Sequence, residues 1–325
     1  MSSNGRAFLA LGRGLRSRCQ AAPIRVRVQV CNHSTRSTPH LDGEHSPTLT
    51  PNHQPQDAAA KASHTVDDIS ELPLLDHTRR LTYTQSPNPA WKLGQKMAEL
   101  AEEDARRKHW DMGTTSPRDA YKLMTSAIIP RPIAFVSTIS NEGIPNLAPF
   151  SYFSMVSHNP PMVSISFSIS RRRPKDTREN ILSTREFTVN IISESFVEAA
   201  NATSVESPAT TDEWILSGLT PKPSLSVKPP LVHESSVSLE CELYSFQDIC
   251  APRTSHITTT VVLGLIKHMH VRENVLDDTG EAVDPGKLQP VSRLGGVRYG
   301  RVTEAFELPR IDWDAMGGSY NGLLG

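Results

Sequence analysis

The sequence predicts a mainly β protein folded as a closed antiparallel barrel. Three observations carry this: runs of apolar and β-branched residues recur at hairpin spacing from Pro132 onward, turn-forming clusters separate them, and the intervening helical patterns are short. No internal repeat with a period of about 20 to 50 residues interrupts the pattern. The barrel domain is expected at 113–312, followed by a tail at 313–325.

Residues 1–41 hold seven Arg and no acidic residue, and Phe8, Leu9, Leu11 and Leu15 can share a helical face against Arg6, Arg13 and Arg16. This is the pattern of a mitochondrial transit peptide, a cationic helix drawn by an inside-negative potential; a basic tail on a cytoplasmic protein is the alternative. Residues 42–88 are rich in Pro, His, Ser, Thr and Asp, with too little apolar content to fold alone, so a disordered linker is expected there. A helix is expected at 89–112. Trp91, Leu93, Met97, Leu100 and Ala101 fit one face, and Glu102 and Glu103 precede Arg106 and Arg107 by four residues.

The barrel opens on a hairpin. Apolar residues run from Pro132 to Ile139, the cluster Ser140, Asn141, Glu142 and Gly143 makes the turn, and a second run starts at Asn146. A turn centred near Glu142 and Gly143 sets Thr138 opposite Leu147 and Ala148. Pro145 and Pro149 cannot donate to a ladder, which predicts an irregular or bulged second strand with backbone groups free for another partner. Further strands are expected at 162–168, 186–193, 236–246 and 257–271, with a short last one near 298–305, and short helices near 176–183 and 195–203. The segment 207–230 is a long excursion rich in Pro, of the kind that completes sites or interfaces.

Formal net charge is -1, and with the Arg-rich front removed the remaining 284 residues carry -8, which argues against a nucleic-acid surface. No run of about twenty apolar residues offers a membrane-spanning helix. Cys19, Cys31, Cys241 and Cys250 form no CxxC pair, so neither a disulfide framework nor a zinc site is suggested. Cys241 falls in the alternating VSLECEL run, where a buried thiol is expected. His268 and His270 share one strand face without an evident third ligand, and no metal is expected.

Candidate chemistry is sparse. There is no G-x-G-x-x-G after a strand, no Walker A motif, and no Ser-His-Asp or paired-carboxylate arrangement. In SFSISRRRPKDTREN, Asp176 opens a D-x-x-E pattern with Glu179, a helix start that leaves the N–H groups of Thr177 and Arg178 free beside Lys175 and Arg171, Arg172 and Arg173. Such a start is either a capped surface helix or an anion cradle. Gly295 and Gly296, in RLGGVRYG, are either a turn or a place of close backbone approach.

Taken as an ordered set from Tyr121 to Arg301, the blocks PRPIAFVSTIS, PNLAPFSYF, KDTREN, NATS, VKPPLV with VSLECEL, and RLGGVRY resemble the flavin reductase-like family of FMN-binding split barrels. The resemblance implies a six-stranded antiparallel split barrel of Greek-key type with a few flanking helices. It also implies a homodimer with non-covalent FMN at the subunit interface. Ser170, Lys175, Asp176 and Thr177 would then lie at the FMN phosphate. Ser137, Thr138, Asn146, Ala148, Phe150 and Ser151 would line the ring, with the N–H groups of Ala148 and Phe150 serving its pyrimidine side. Arg131 would contact the ring or a phosphate, and Tyr299 would cover the ring. The implied activity passes electrons from NAD(P)H to a flavin or another small acceptor, the nicotinamide stacking on the flavin in an open cleft because no Rossmann fold is present. The alternatives are an FMN carrier or sensor without turnover and an oxidase resembling pyridoxamine phosphate oxidases.

Overall fold

The computed structural model describes residues 72–99, 101, 105–170, 174–252, 254–316 and 322. The expected leader at 1–41, residues 42–71 of the expected linker, and Arg171, Arg172 and Arg173 lie outside them.

In chain order the elements are β1 (Thr82–Thr84), α1 (Pro117–Ala127), β2 (Ala134–Ile139), β3 (Pro145–Phe150), β4 (Phe153–His158), β5 (Pro161–Ser168) and α2 (Asp176–Thr184). There follow β6 (Glu186–Ile191), α3 (Val197–Ala202), α4 (Glu213–Ser217), β7 (Pro221–Lys222), β8 (Leu231–Val232), β9 (Val237–Cys250) and β10 (Ile257–Val271). The chain closes with α5 (Pro285–Leu288), β11 (Val291–Arg293), β12 (Tyr299–Arg301), β13 (Glu304–Phe306) and α6 (Trp313–Met316).

One antiparallel sheet of seven strands, in the order β3-β2-β6-β9-β10-β5-β4, forms the body, one strand more than the six expected. The sheet curls until the Phe150 ring on β3 meets Phe167 on β5 edge-on, with centroids 4.7 Å apart. Side chains rather than a backbone ladder join these two strands, so the barrel has a seam. Strand β2 is buried on both faces, which explains its nearly continuous apolar run. Ala134 and Val136 pack inside with Ile165, Phe167, Phe187, Val189 and Val262. Ile133 and Phe135 pack outside with Leu147, Phe196, Trp214 and Val232, beneath α3 and α4. Each large side chain removed from water here contributes about 1.5–3 kcal/mol.

The hairpin differs from expectation in register and regularity. Gly143 N–H donates to Ser140 O and Ser140 N–H to Ile144 O, so Thr138 pairs with Asn146 and Ser137 with Leu147. The ladder runs unbroken from Ala134 opposite Phe150 to Ile139 opposite Pro145. Both prolines are accommodated because β3 is an edge strand, and residues 145, 147 and 149 share the backbone direction that faces away from β2.

Over 89–99 and 106–112 the expected helix is replaced by turns and irregular backbone, whereas Ala105 is helical, its N–H donating to Ala101 O. Trp91, Leu93 and Met97 remain exposed, so the apolar face that would stabilise a helix finds nothing to bury against. Within the expected linker, β1 pairs in parallel with β13, from Thr82 opposite Glu304 to Thr84 opposite Phe306. The strand expected near 298–305 divides into β12 and β13, and β9 continues past Phe246 to Cys250. Helix α1 has a clear local cause: Pro117 opens it, Asp119 N–H donates to Ser116 Oγ, and Ser116 Oγ–H donates back to the Asp119 carboxylate. Among the described residues no helix is long and apolar enough to cross a membrane.

Candidate functional site

A cleft of about 170 Å³ lies between the outer edge of β3, the start of α2 and the 203–207 segment after α3. Asn146, Ala148, Pro149 and Phe150 form one wall; Ser170, Pro174, Lys175, Asp176 and Thr177 form a second; Thr203, Ser204, Val205, Glu206, Ser207 and Glu213 close it.

The edge strand explains the chemistry of the first wall. Prolines remove the outward N–H at 145 and 149, and the outward N–H of Leu147 donates to Glu213 Oε2 at 3.3 Å. Ala148 and Phe150 have the opposite parity, so their N–H groups point into the ladder with β2 rather than toward a ligand. This corrects the expectation that they serve a flavin ring. The wall offers the apolar surface of Ala148, Pro149 and Phe150 instead.

The second wall is a helix N-terminus. Lys175 occupies the N-cap and makes no side-chain capping bond, and the first N–H bonded within the helix is that of Glu179, to Lys175 O. Asp176 is therefore the first helical residue, not the cap that the D-x-x-E pattern suggested. The backbone end of α2 carries partial positive charge beside the Lys175 ammonium, whose Nζ lies 3.8 Å from Glu206 Oε1 with both side chains exposed. Arg178 is turned away onto the barrel, donating to Thr260 Oγ1 at 2.7 Å and to Asp248 Oδ1 at 3.2 Å.

A hydrogen-bonded hub joins the walls. Thr177 Oγ1 donates to Asn146 Oδ1 at 2.6 Å, and Asn146 Nδ2 donates to Glu213 Oε2 at 3.0 Å. Ser207 Oγ donates to Glu213 Oε1 at 2.7 Å. Behind the cleft, Asn180 Nδ2 donates to Thr138 Oγ1 at 3.0 Å.

Of the residues singled out in the sequence, Asn146, Ala148, Phe150, Ser170, Lys175, Asp176 and Thr177 are brought together at the cleft. Thr138 lies fully buried behind it. Ser137 shares its face of β2 with Ile133 and Phe135, and its buried Oγ has no hydrogen-bond partner among the described residues. Arg131 is committed internally: its guanidinium donates to Thr125 O, Ile128 O and Leu294 O, and its Nε to Ser151 Oγ. It caps the end of α1, and Ser151 serves it. Tyr299 donates from its hydroxyl to Asn201 Oδ1 at 2.8 Å, and the Arg293 guanidinium lies 4.5 Å from its ring centroid. Gly295 is a place of close approach, but to α1: a Cβ there would sit 3.0 Å from Ser126 Cβ. Glu213, Val205 and Glu206 were not singled out; the NATS block, which holds Thr203 and Ser204, and the long excursion beginning at Ser207 were the available signals.

The residues present fit FMN at its anionic end, where a helix start and a lysine can receive a phosphate, and at an apolar wall against which a flat ring can rest.

A sequence profile described as the flavin reductase like domain matches residues 124–286. The structure is similar to nitrilotriacetate monooxygenase component B from Bacillus cereus, with 34% identity, a TM-score of 0.60, and coverage of 62% of this chain and 99% of that one. It is similar to the 2-nitrobenzoate 2-nitroreductase NbaA of Pseudomonas fluorescens, with 28% identity, a TM-score of 0.55, and coverage of 63% and 98%. A split-barrel-domain protein of Shewanella frigidimarina shares the fold at 23% identity and a TM-score of 0.53, over 64% of this chain and all of that one.

Proposed function

Because this chain belongs to the flavin reductase-like domain family, we propose that it is an FMN-dependent oxidoreductase passing electrons from NAD(P)H to a flavin or another small acceptor. The observation that carries the reading is the meeting, in one cleft, of the α2 N-terminus, Lys175 and the apolar edge of β3. The neighbours named as a monooxygenase component and a nitroreductase support a redox role. Bound FMN would supply the hydride chemistry. The chain's own residues then have simpler tasks: α2 and Lys175 hold the phosphate, Ala148, Pro149 and Phe150 keep water from one side, and Asn146 with Glu213 fixes the wall between them.

The cleft of one chain, at about 170 Å³, is smaller than the roughly 300–1,000 Å³ of common cofactor sites. We therefore propose a homodimer whose second copy completes the site. Exposed apolar residues support it: Met155 and Val156 on β4, and Tyr121 and Met124 on α1 with Ile128 just beyond it. The acid-free front motivates mitochondrial delivery, tested by fusing residues 1–45 to a fluorescent reporter; a diffuse cytosolic signal refutes it.

The activity test is direct. Purified protein titrated with FMN should quench flavin fluorescence, and should oxidise NADH or NADPH with FMN present. No flavin binding overturns the reading, whereas binding without turnover of either nicotinamide establishes the carrier alternative.

A further inference from the structure

A hydroxyl has one proton, and at the start of α2 that proton can be traced. Glu213 opens α4 and is almost wholly buried, only 3% exposed. Its carboxylate is an acceptor surrounded by donors: Leu147 N–H and Asn146 Nδ2 on Oε2, and Ser207 Oγ on Oε1. The Asn146 amide must therefore turn its NH₂ toward Glu213 and its oxygen the other way. That oxygen has two lone pairs, which receive Thr177 Oγ1 at 2.6 Å and Thr138 Oγ1 at 3.4 Å. The Thr177 proton is thus directed into the barrel wall, and Thr177, a buried residue that lines the cleft, keeps only lone pairs on its oxygen for any other partner.

An anion seated at the α2 N-terminus would meet an acceptor at Thr177 where a donor would bind it better. The opposite orientation of Asn146 would donate to Thr177 and release its proton toward the cleft. We infer that Glu213 is a positioning residue for anion affinity: acting through Asn146, it withholds the Thr177 hydroxyl from the phosphate of a bound phosphomonoester and keeps that ligand exchangeable. This rests on the reading of the cleft as an FMN site. A loosely held phosphate suits a flavin that enters and leaves.

The test compares FMN with riboflavin, which lacks only the phosphate, by fluorescence quenching. Glu213→Ala should raise the affinity ratio of FMN to riboflavin about tenfold, the worth of one hydrogen bond to a charged group. Glu213→Gln removes the charge but keeps an oxygen toward Leu147 N–H and Asn146, and should restore a ratio within about twofold of the parent. In a Thr177→Val background, Glu213→Ala should give no rise. A rise that survives Thr177→Val, or that Glu213→Gln reproduces in full, would mean that charge alone is responsible and would overturn the proposal. If thermal denaturation shows Glu213→Ala to be unfolded, Asn146→Ala removes the acceptor instead and should raise the ratio likewise; an unchanged ratio refutes the inference. If the parent protein binds neither flavin, the flavin reading fails by itself. Stabilisation by inorganic phosphate then decides the matter, being greater in the released variant if the inference holds and equal if it does not.

Discussion

Glu240 is fully buried in β9, on the side of the strand opposite Leu239, Cys241 and Leu243. Burial pushes its carboxyl up, but the N–H groups of Leu225 and Ser226, the Ser226 hydroxyl and His270 outweigh that cost and hold it at about 2. Since the folded value lies below the ordinary 4.5, the group stabilises the protein above about pH 4.5 and loses that contribution as pH falls toward 2. The amount is on the order of 3 kcal/mol. Guanidinium denaturation across this range should show a steep acid limb that Glu240→Gln flattens, and equal slopes would refute the assignment. Gly264 shows a different constraint: a Cβ there would lie 2.4 Å from Phe187 Cζ, beside a register shift in the β9–β10 ladder. Gly264→Ala should cost about 1–3 kcal/mol by overpacking, and Phe187→Leu should recover part of it. Calorimetry of both variants checks this. Alternation correctly placed Cys241 inside, where burial pushes its thiol up. It could not show that Glu240 would also be covered, because the cover comes from the Pro-rich excursion.

Among the elements, α1 is held at its end by one side chain. The Arg131 guanidinium donates to three carbonyls, of Thr125, Ile128 and Leu294, so Arg131→Ala leaves one buried and two part-buried acceptors unmet and should destabilise by about 2–3 kcal/mol. Hydrogen exchange should rise first over 117–128. A variant with unchanged exchange there would show the cap to be dispensable. The α2 start behaves differently: Lys175 is partly exposed, so Lys175→Glu should leave stability within about 0.5 kcal/mol. It should nevertheless weaken FMN far more than riboflavin, by about tenfold, and the loss should shrink as salt is added. Strands and the α2 helix were legible because their periodicity is local. Over 89–99 the expected helix had a suitable pattern, but Trp91, Leu93 and Met97 have no surface to bury them, and pattern alone does not supply the partner.

For the whole molecule, Met155 is 71% exposed on edge strand β4, where the proposed homodimer would bury it. Met155→Glu should shift the mass measured by light scattering from dimer to monomer and lower FMN affinity together, since in the proposed homodimer the second copy would complete the cleft. A monomeric parent would remove this expectation.

The runs of β2, β5, β6, β9 and β10 were determined within the sequence itself, because strand formation follows from the order of apolar, branched and turn-forming residues along a short stretch. The tertiary structure alone decided which hydroxyls and amides face the cleft. Glu213 stands 67 positions from Asn146, and Thr177 stands 31 from it. Which of these groups gives a proton and which receives one depends on neighbours that only the closed barrel brings within bonding distance.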